Sequence, residues 1–176
     1  MKNRIPLRPM VICAMLTALS VVLDRFVPIV FTDSLKITLG FIPCLLAAIL
    51  YGPAGGAAVF GLSDFLGAIL FPRGAYFPGF TLTAVLKGIL FGLFLHREKP
   101  SFFPHVILPS VLADFVLSLG VDTLWITILY GAGSGKTYGA YFVGRIWQTV
   151  LLFTLHLVLI PLLGKFAATL KKHVKI

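Results

Sequence analysis

Charge is the first thing this chain lacks: Asp, Glu, Lys and Arg together make up 12% of its 176 residues, about half the usual share of a soluble domain, roughly 25%. A water-facing globule is excluded. Acidic residues are scarcer still, six against fifteen Lys plus Arg, and the two cysteines, Cys13 and Cys44, stand apart with no CxxC spacing or nearby histidine. Neither a disulfide framework nor a zinc site is supported, and no metal or cofactor is expected. What is abundant is apolar surface: 59% hydrophobic residues and a mean hydropathy of +1.01 exceed what one aqueous core can bury, and the bilayer becomes the main solvent. The formal charge of +9 then speaks to topology before anionic partners, and nucleic-acid binding is a poor fit.

Breaks at charges, prolines and glycines divide the chain into six apolar segments: 10–23, 39–51, 53–71, 79–95, 102–130 and 138–163. The expected fold is an all-α integral membrane protein, a single domain over 1–176 with six transmembrane helices. Lys2, Arg4 and Arg8 precede the first run without a small-residue cleavage site after it, so the run reads as a span, not a cleaved signal. With both termini cytoplasmic, the inner segments carry Lys2, Arg4, Arg8, Arg97, Lys99, Lys165, Lys171, Lys172 and Lys175, whereas the outer loops carry only Arg25, Lys36, Arg73 and Lys136. That asymmetry fixes the orientation. Segment 39–51 offers about 20 Å of helix against a hydrocarbon core of about 30 Å. Extended chain over 26–38 must supply the remaining depth, and irregular backbone at that depth implies a cavity on the outer side.

Five charges fall inside apolar segments: Asp64, Lys87, Asp114, Asp122 and Arg145. Each is costly unless paired or wetted, so function is sought there. Helical spacing aligns Asp114, Ser118, Asp122 and Trp125 on one face, and Tyr138, Tyr141, Arg145 and Gln148 on another. Facing each other, these stripes would line a polar pocket. Arg145, with Tyr141 and Gln148, is the candidate carboxylate binder; Asp114 suits a structural pair with Lys87 or Arg145. Small residues at four-residue spacing, Ala57/Gly61 and Ala84/Gly88/Gly92, read as packing faces. The string from Tyr130 through Lys136 to Thr137 has a P-loop look but puts Tyr130 where the motif needs glycine, so no ATP hydrolysis is expected. His96, His105, His156 and His173 are scattered, His96 and His173 read as solvated surface residues, and no nucleophile-base pair stands out. An intramembrane enzyme is therefore the minor alternative.

The run Asp64-Phe65-Leu66-Gly67-Ala68-Ile69-Leu70-Phe71-Pro72, followed by Gly74-Ala75-Tyr76-Phe77-Pro78-Gly79-Phe80-Thr81-Leu82-Thr83-Ala84, closely resembles the folate-specific substrate-binding subunit, or S component, of energy-coupling factor (ECF) vitamin transporters. Gly40-Phe41-Ile42-Pro43, Tyr51-Gly52-Pro53, Thr123-Leu124-Trp125 and Arg145 follow the family's order, so the likeness spans essentially the whole chain. It implies a multi-pass subunit of the bacterial cell membrane that captures folate outside, without chemistry of its own, and topples to release it inside. The implied partners are a membrane scaffold (T) subunit, met through Ala14 and Ala18 on the first helix, and two cytoplasmic ATPases. One departure is Asp122, where the family pattern has asparagine. A folate's flat ring wants aromatic walls, for which Phe65, Tyr76, Phe77, Phe80, Trp125 and Tyr141 are candidates. Its amino-pyrimidinone edge wants an acceptor, Asp64 or Asp122, and its carboxylates want Arg25, Lys36, Arg73 or Arg145, with Thr81 and Gln148 as further polar contacts. An S component for another nutrient, such as pantothenate or a queuosine precursor, is the alternative.

Overall fold

The computed structural model describes residues 7–32, 35–72, 74–96, 103–135 and 137–174, with backbone alone for 28–32, 35–37, 103, 132, 134 and 171–174. Helix α1 (Leu7–Phe26) leads into a hairpin of β1 (Pro28–Thr32) and β2 (Leu35–Thr38), then α2 (Phe41–Leu70) and α3 (Pro78–Leu95). Two π-helical stretches, Phe103–Ile107 and Leu112–Val121, flank α4 (Leu108–Val111) and run into α5 (Asp122–Ser134), and α6 (Tyr138–Val174) closes the chain. Among the described residues five helical stretches are long and apolar enough to cross a bilayer: Leu7–Phe26, Phe41–Leu70, Pro78–Leu95, Pro104–Gly131 and Tyr138–Leu170.

A short two-stranded hairpin is added to the helical fold that the sequence predicts. Extended chain was foreseen over 26–38, but here it pairs with itself, Pro28 opposite Thr38, Ile29 opposite Ile37 and Val30 opposite Lys36. Such pairing answers the backbone's need for partners where water is scarce.

Helix α2 is not straight. Gly52 takes φ 69° and ψ −156°, a conformation open to glycine and strained for other residues, and the chain doubles back there. Cys44 Sγ consequently lies 3.4 Å from Ser63 Oγ, although 19 residues of straight helix would hold them about 28 Å apart. The Gly-Pro turn expected between segments 39–51 and 53–71 is this bend. Pro53 has no N–H to give the Ile49 carbonyl, its helical acceptor four residues back. His96 fills the gap: its Nδ1 lies 3.0 Å from Ile49 O, which makes Nδ1 the hydrogen-bearing nitrogen, because a carbonyl only accepts. His96 is exposed, as expected of it, and carries this structural contact as well.

The second arm of α2 packs on α3 through glycine. A Cβ on Gly56 would sit 2.4 Å from Gly88 O, and one on Gly92 would sit 2.5 Å from the Gly52 and Pro53 backbone. Backbone contact this close needs small residues at 56, 88 and 92; the packing-face reading anticipated Gly88 and Gly92, and named Ala57 beside Gly56. The core gathers between the first arm of α2 and α3: Leu45, Ala48, Ile49, Leu50, Phe91 and Leu95, joined by Val106, Ala113, Ile160 and Ala167. Half of the apolar window of α2 is buried inside the protein against 17% for α6, so α2 is central and α6 presents most of its apolar surface outward. Val143, Trp147, Val158 and Leu162 are all exposed on α6, as suits side chains solvated by lipid.

Asp114 does not pair with Lys87 or Arg145. It meets His156, Nδ1 to Oδ2 at 2.7 Å, in a fully buried contact, with the rings of Phe41 and Phe91 against the imidazole at 4.8 Å and 5.4 Å. The π-helical winding at Leu112–Val121 departs from the α-helical spacing used to align Asp114 with Asp122, and the two carboxylates serve different helices. Helix α6 also runs beyond Leu163, where hydropathy ended the span, because hydropathy marks the apolar boundary and not the last helical turn. At the P-loop lookalike, α5 simply ends, with Gly135 at φ 65° as its left-handed cap.

Candidate functional site

Two adjoining cavities share Arg25 and Asp64. The larger, about 250 Å³, lies among α1, β2, α2, α3, the second π-helical stretch and α6, with Asp24, Arg25, Asp64, Lys87, Ser118 and Gln148 among its polar groups. The smaller, about 210 Å³, is bounded by Arg25, Asp64 and the loop and first turn of α3, Gly74 to Phe80. Each is below the roughly 300–1,000 Å³ usual for ligand pockets, and the two together reach it.

Each wall follows from local structure. Arg25 sits in the last turn of α1, where its cation suits the helix dipole, with Nε 3.1 Å from Asp24 Oδ2. Asp64, on the second arm of α2, accepts from Thr81 Oγ1 at 2.7 Å. Thr81's single hydrogen is thereby used, so the Tyr76 hydroxyl, 3.2 Å away, donates to Thr81 Oγ1. Tyr76 meets the edge of Phe65 at a centroid distance of 6.0 Å. The loop carrying it is pinned to α5, because the Ala75 amide donates to the Tyr130 hydroxyl at 3.2 Å. Phe77 packs between Phe80 and Trp125, at 6.3 Å and 5.4 Å, and Pro78 at the start of α3 fixes where the helix begins.

Among the expected site residues, Arg25, Asp64, Tyr76, Phe77, Phe80 and Gln148 line these cavities. Phe65 and Thr81 touch lining residues, through Tyr76 and Asp64. Trp125 stands behind the wall: it backs Phe77 and donates from Nε1 to Thr83 Oγ1 at 3.0 Å. Asp122 also lies one layer out, its Oδ2 2.8 Å from Lys87 Nζ. Arg145 and Tyr141 line neither cavity; Arg145 instead donates from a terminal nitrogen to the buried Thr123 Oγ1 at 2.9 Å. Arg73 and the Lys36 side chain lie outside the described residues, as do Lys2, Arg4, Arg97, Lys99, Lys136 and Lys175.

The reading of isolated residues missed Ser20, Cys44 and Ser63, which line the larger cavity. Ser20 Oγ donates to Gly40 O at 2.7 Å and lies 3.1 Å from Cys44 Sγ. Lys87 was flagged as a buried charge and not as a wall. Ala14 and Ala18, by contrast, lie exposed on α1 beside Met15 and Leu19, 67% and 48% exposed, leaving that face uncovered in the isolated chain.

Residues 8–173 match the family described as "ECF transporter, substrate-specific component". The chain is similar to the folate transporter FolT of Clostridium novyi, 34% identical over 151 residues covering 86% of this chain and 84% of the relative. It is also similar to the folate transporter FolT of Leuconostoc mesenteroides, 27% identical over 147 residues covering 83% and 78%. Its fold matches a crystal structure of FolT bound with folic acid at a TM-score of 0.78 and 31% identity, covering 90% of this chain and 92% of that one. A bacterial ECF S component shares the fold at a TM-score of 0.67 and 21% identity, covering 94% and 98%.

Proposed function

Since the chain belongs to the substrate-specific components of ECF transporters, we propose that it is the folate-binding membrane subunit of such a transporter. The observation that carries this reading is the pair of joined cavities with Arg25 and Asp64 at their junction. Aromatic groups on one side suit a flat ring, and a guanidinium suits carboxylates. Likeness to FolT over most of both chains supports the same substrate. Its relatives are transporter components and not enzymes; this subunit binds and delivers, and ATP is hydrolysed by two cytoplasmic partner subunits.

In the bacterial cell membrane the chain passes six times, the two arms of α2 counting separately and the hairpin completing the short first arm. Both termini are cytoplasmic, in keeping with the excess of basic residues in the inner segments. The uncovered α1 face around Ala14 and Ala18 docks the membrane scaffold subunit, because small side chains allow a partner helix close approach. ATP use in the partners then tilts the loaded subunit to release its ligand inward. Isothermal titration of the detergent-purified protein with folic acid tests the reading: tight one-to-one uptake is expected, and binding of pantothenate or a purine-like base in place of folates would overturn it.

A further inference from the structure

The larger cavity has a wall whose hydrogens are all spent. Ser20 gives its only hydroxyl hydrogen to Gly40 O at 2.7 Å, and Ser63 gives its own to Phe60 O at 3.1 Å. Cys44 Sγ lies between them, 3.1 Å from Ser20 Oγ and 3.4 Å from Ser63 Oγ. With both hydroxyl hydrogens engaged, the one thiol hydrogen must serve both contacts, and one of the two is left without a proton. Asp64, next along the same wall, already takes Thr81's hydrogen and as a carboxylate has only acceptors to offer. Ser20 from α1 and Ser63 and Asp64 from α2 therefore present lone pairs and no donor, with the Cys44 thiol hydrogen spent among them. Lys87 brings the opposite polarity from α3: one of its three hydrogens is held by Asp122, and the side chain reaches the same cavity.

We infer that the wall of Ser20, Cys44, Ser63 and Asp64 receives the hydrogen-donating edge of the ligand, and that Lys87 receives a ring oxygen or nitrogen acceptor. Resting on the folate reading, this places the amino-pyrimidinone N–H groups against α1 and α2, and it selects Asp64, which lines both cavities, over Asp122, which lines neither. A ring that turned its acceptors to this wall would leave lone pairs facing lone pairs, which a buried site does not tolerate. The aminobenzoyl ring then passes Arg25 onto the aromatic wall of the smaller cavity, with the glutamate beyond it.

The test compares folic acid with an analogue carrying methyl in place of the 2-amino group, titrated calorimetrically into wild-type, Ser63→Ala and Ser20→Ala proteins. Wild-type protein should favour folic acid about tenfold or more, since one lost hydrogen bond in a buried site is worth about that factor. Ser63→Ala should weaken folic acid by about tenfold and leave the analogue within about twofold, so that discrimination collapses. Equal weakening of both ligands, or unchanged discrimination in the variants, overturns the assignment while the folate reading stands. Failure of wild-type protein to bind folic acid overturns the folate reading and this assignment with it. Should Ser20→Ala not fold, the half-buried Ser63 still carries the comparison.

Discussion

Lys87 on α3 and Asp122 at the start of α5 form an ion pair, Nζ to Oδ2 at 2.8 Å, with side chains only 18% and 13% exposed. A charge pair this sheltered ties two helices that also meet where Trp125 donates to Thr83, and its removal by halves differs from its removal whole. Lys87→Met should lower unfolding stability in detergent by about 3–5 kcal/mol, the usual cost of leaving one partner of a buried pair alone. Lys87→Met/Asp122→Leu should recover most of that loss. Thermal unfolding of the two variants checks the difference; equal loss in both would mean the pair contributes through packing.

Arg25 and Arg145 separate binding from architecture. Arg25→Ala should weaken folic acid binding about ten- to hundredfold, in line with loss of a charged hydrogen-bonding group, about 1.5–3 kcal/mol. Arg145→Ala, which frees Thr123 and opens neither cavity, should cost stability more than affinity. Titration calorimetry alongside thermal unfolding reads both quantities, and a larger affinity loss for Arg145→Ala would reverse the ranking.

Gly56→Ala and Gly88→Ala each place a methyl group within 2.4 Å of a backbone oxygen across the α2 and α3 interface. Because backbone cannot yield as a side-chain tip does, destabilisation should reach the upper end of overpacking costs, about 3 kcal/mol. Gly133→Ala, where nothing lies within 4 Å, is the control and should be near neutral. Melting temperatures of the three variants settle the order.

Ala14→Leu/Ala18→Leu should leave folic acid affinity within about twofold and sharply reduce folate uptake by cells holding the full transporter, since larger side chains keep a partner helix from close approach. Loss of affinity in the isolated subunit would instead place these alanines in the fold.

Much of this architecture was legible because the bilayer demands it. Apolar runs, the Gly52-Pro53 break and the small residues at 84, 88 and 92 are constraints that any sequence must meet to pack helices in lipid. The aromatic string 76–80 marked its own wall. Less legible were contacts between residues far apart in the chain: the Ser20, Cys44 and Ser63 cluster joins positions 24 and 19 residues apart, each unremarkable alone. Asp114 misled because a buried acid was matched to the strong cations, whereas a histidine 42 positions onward satisfied it. The π-helical winding at Leu112–Val121 left no mark in residue type and shifted the stripe that α-helical spacing had drawn.

The imidazole of His96, set on the carbonyl that Pro53 leaves bare, knots the far end of α3 to the elbow of α2. That one ring thereby ties three rods at a single end, the two limbs of the bent helix and the helix that follows them.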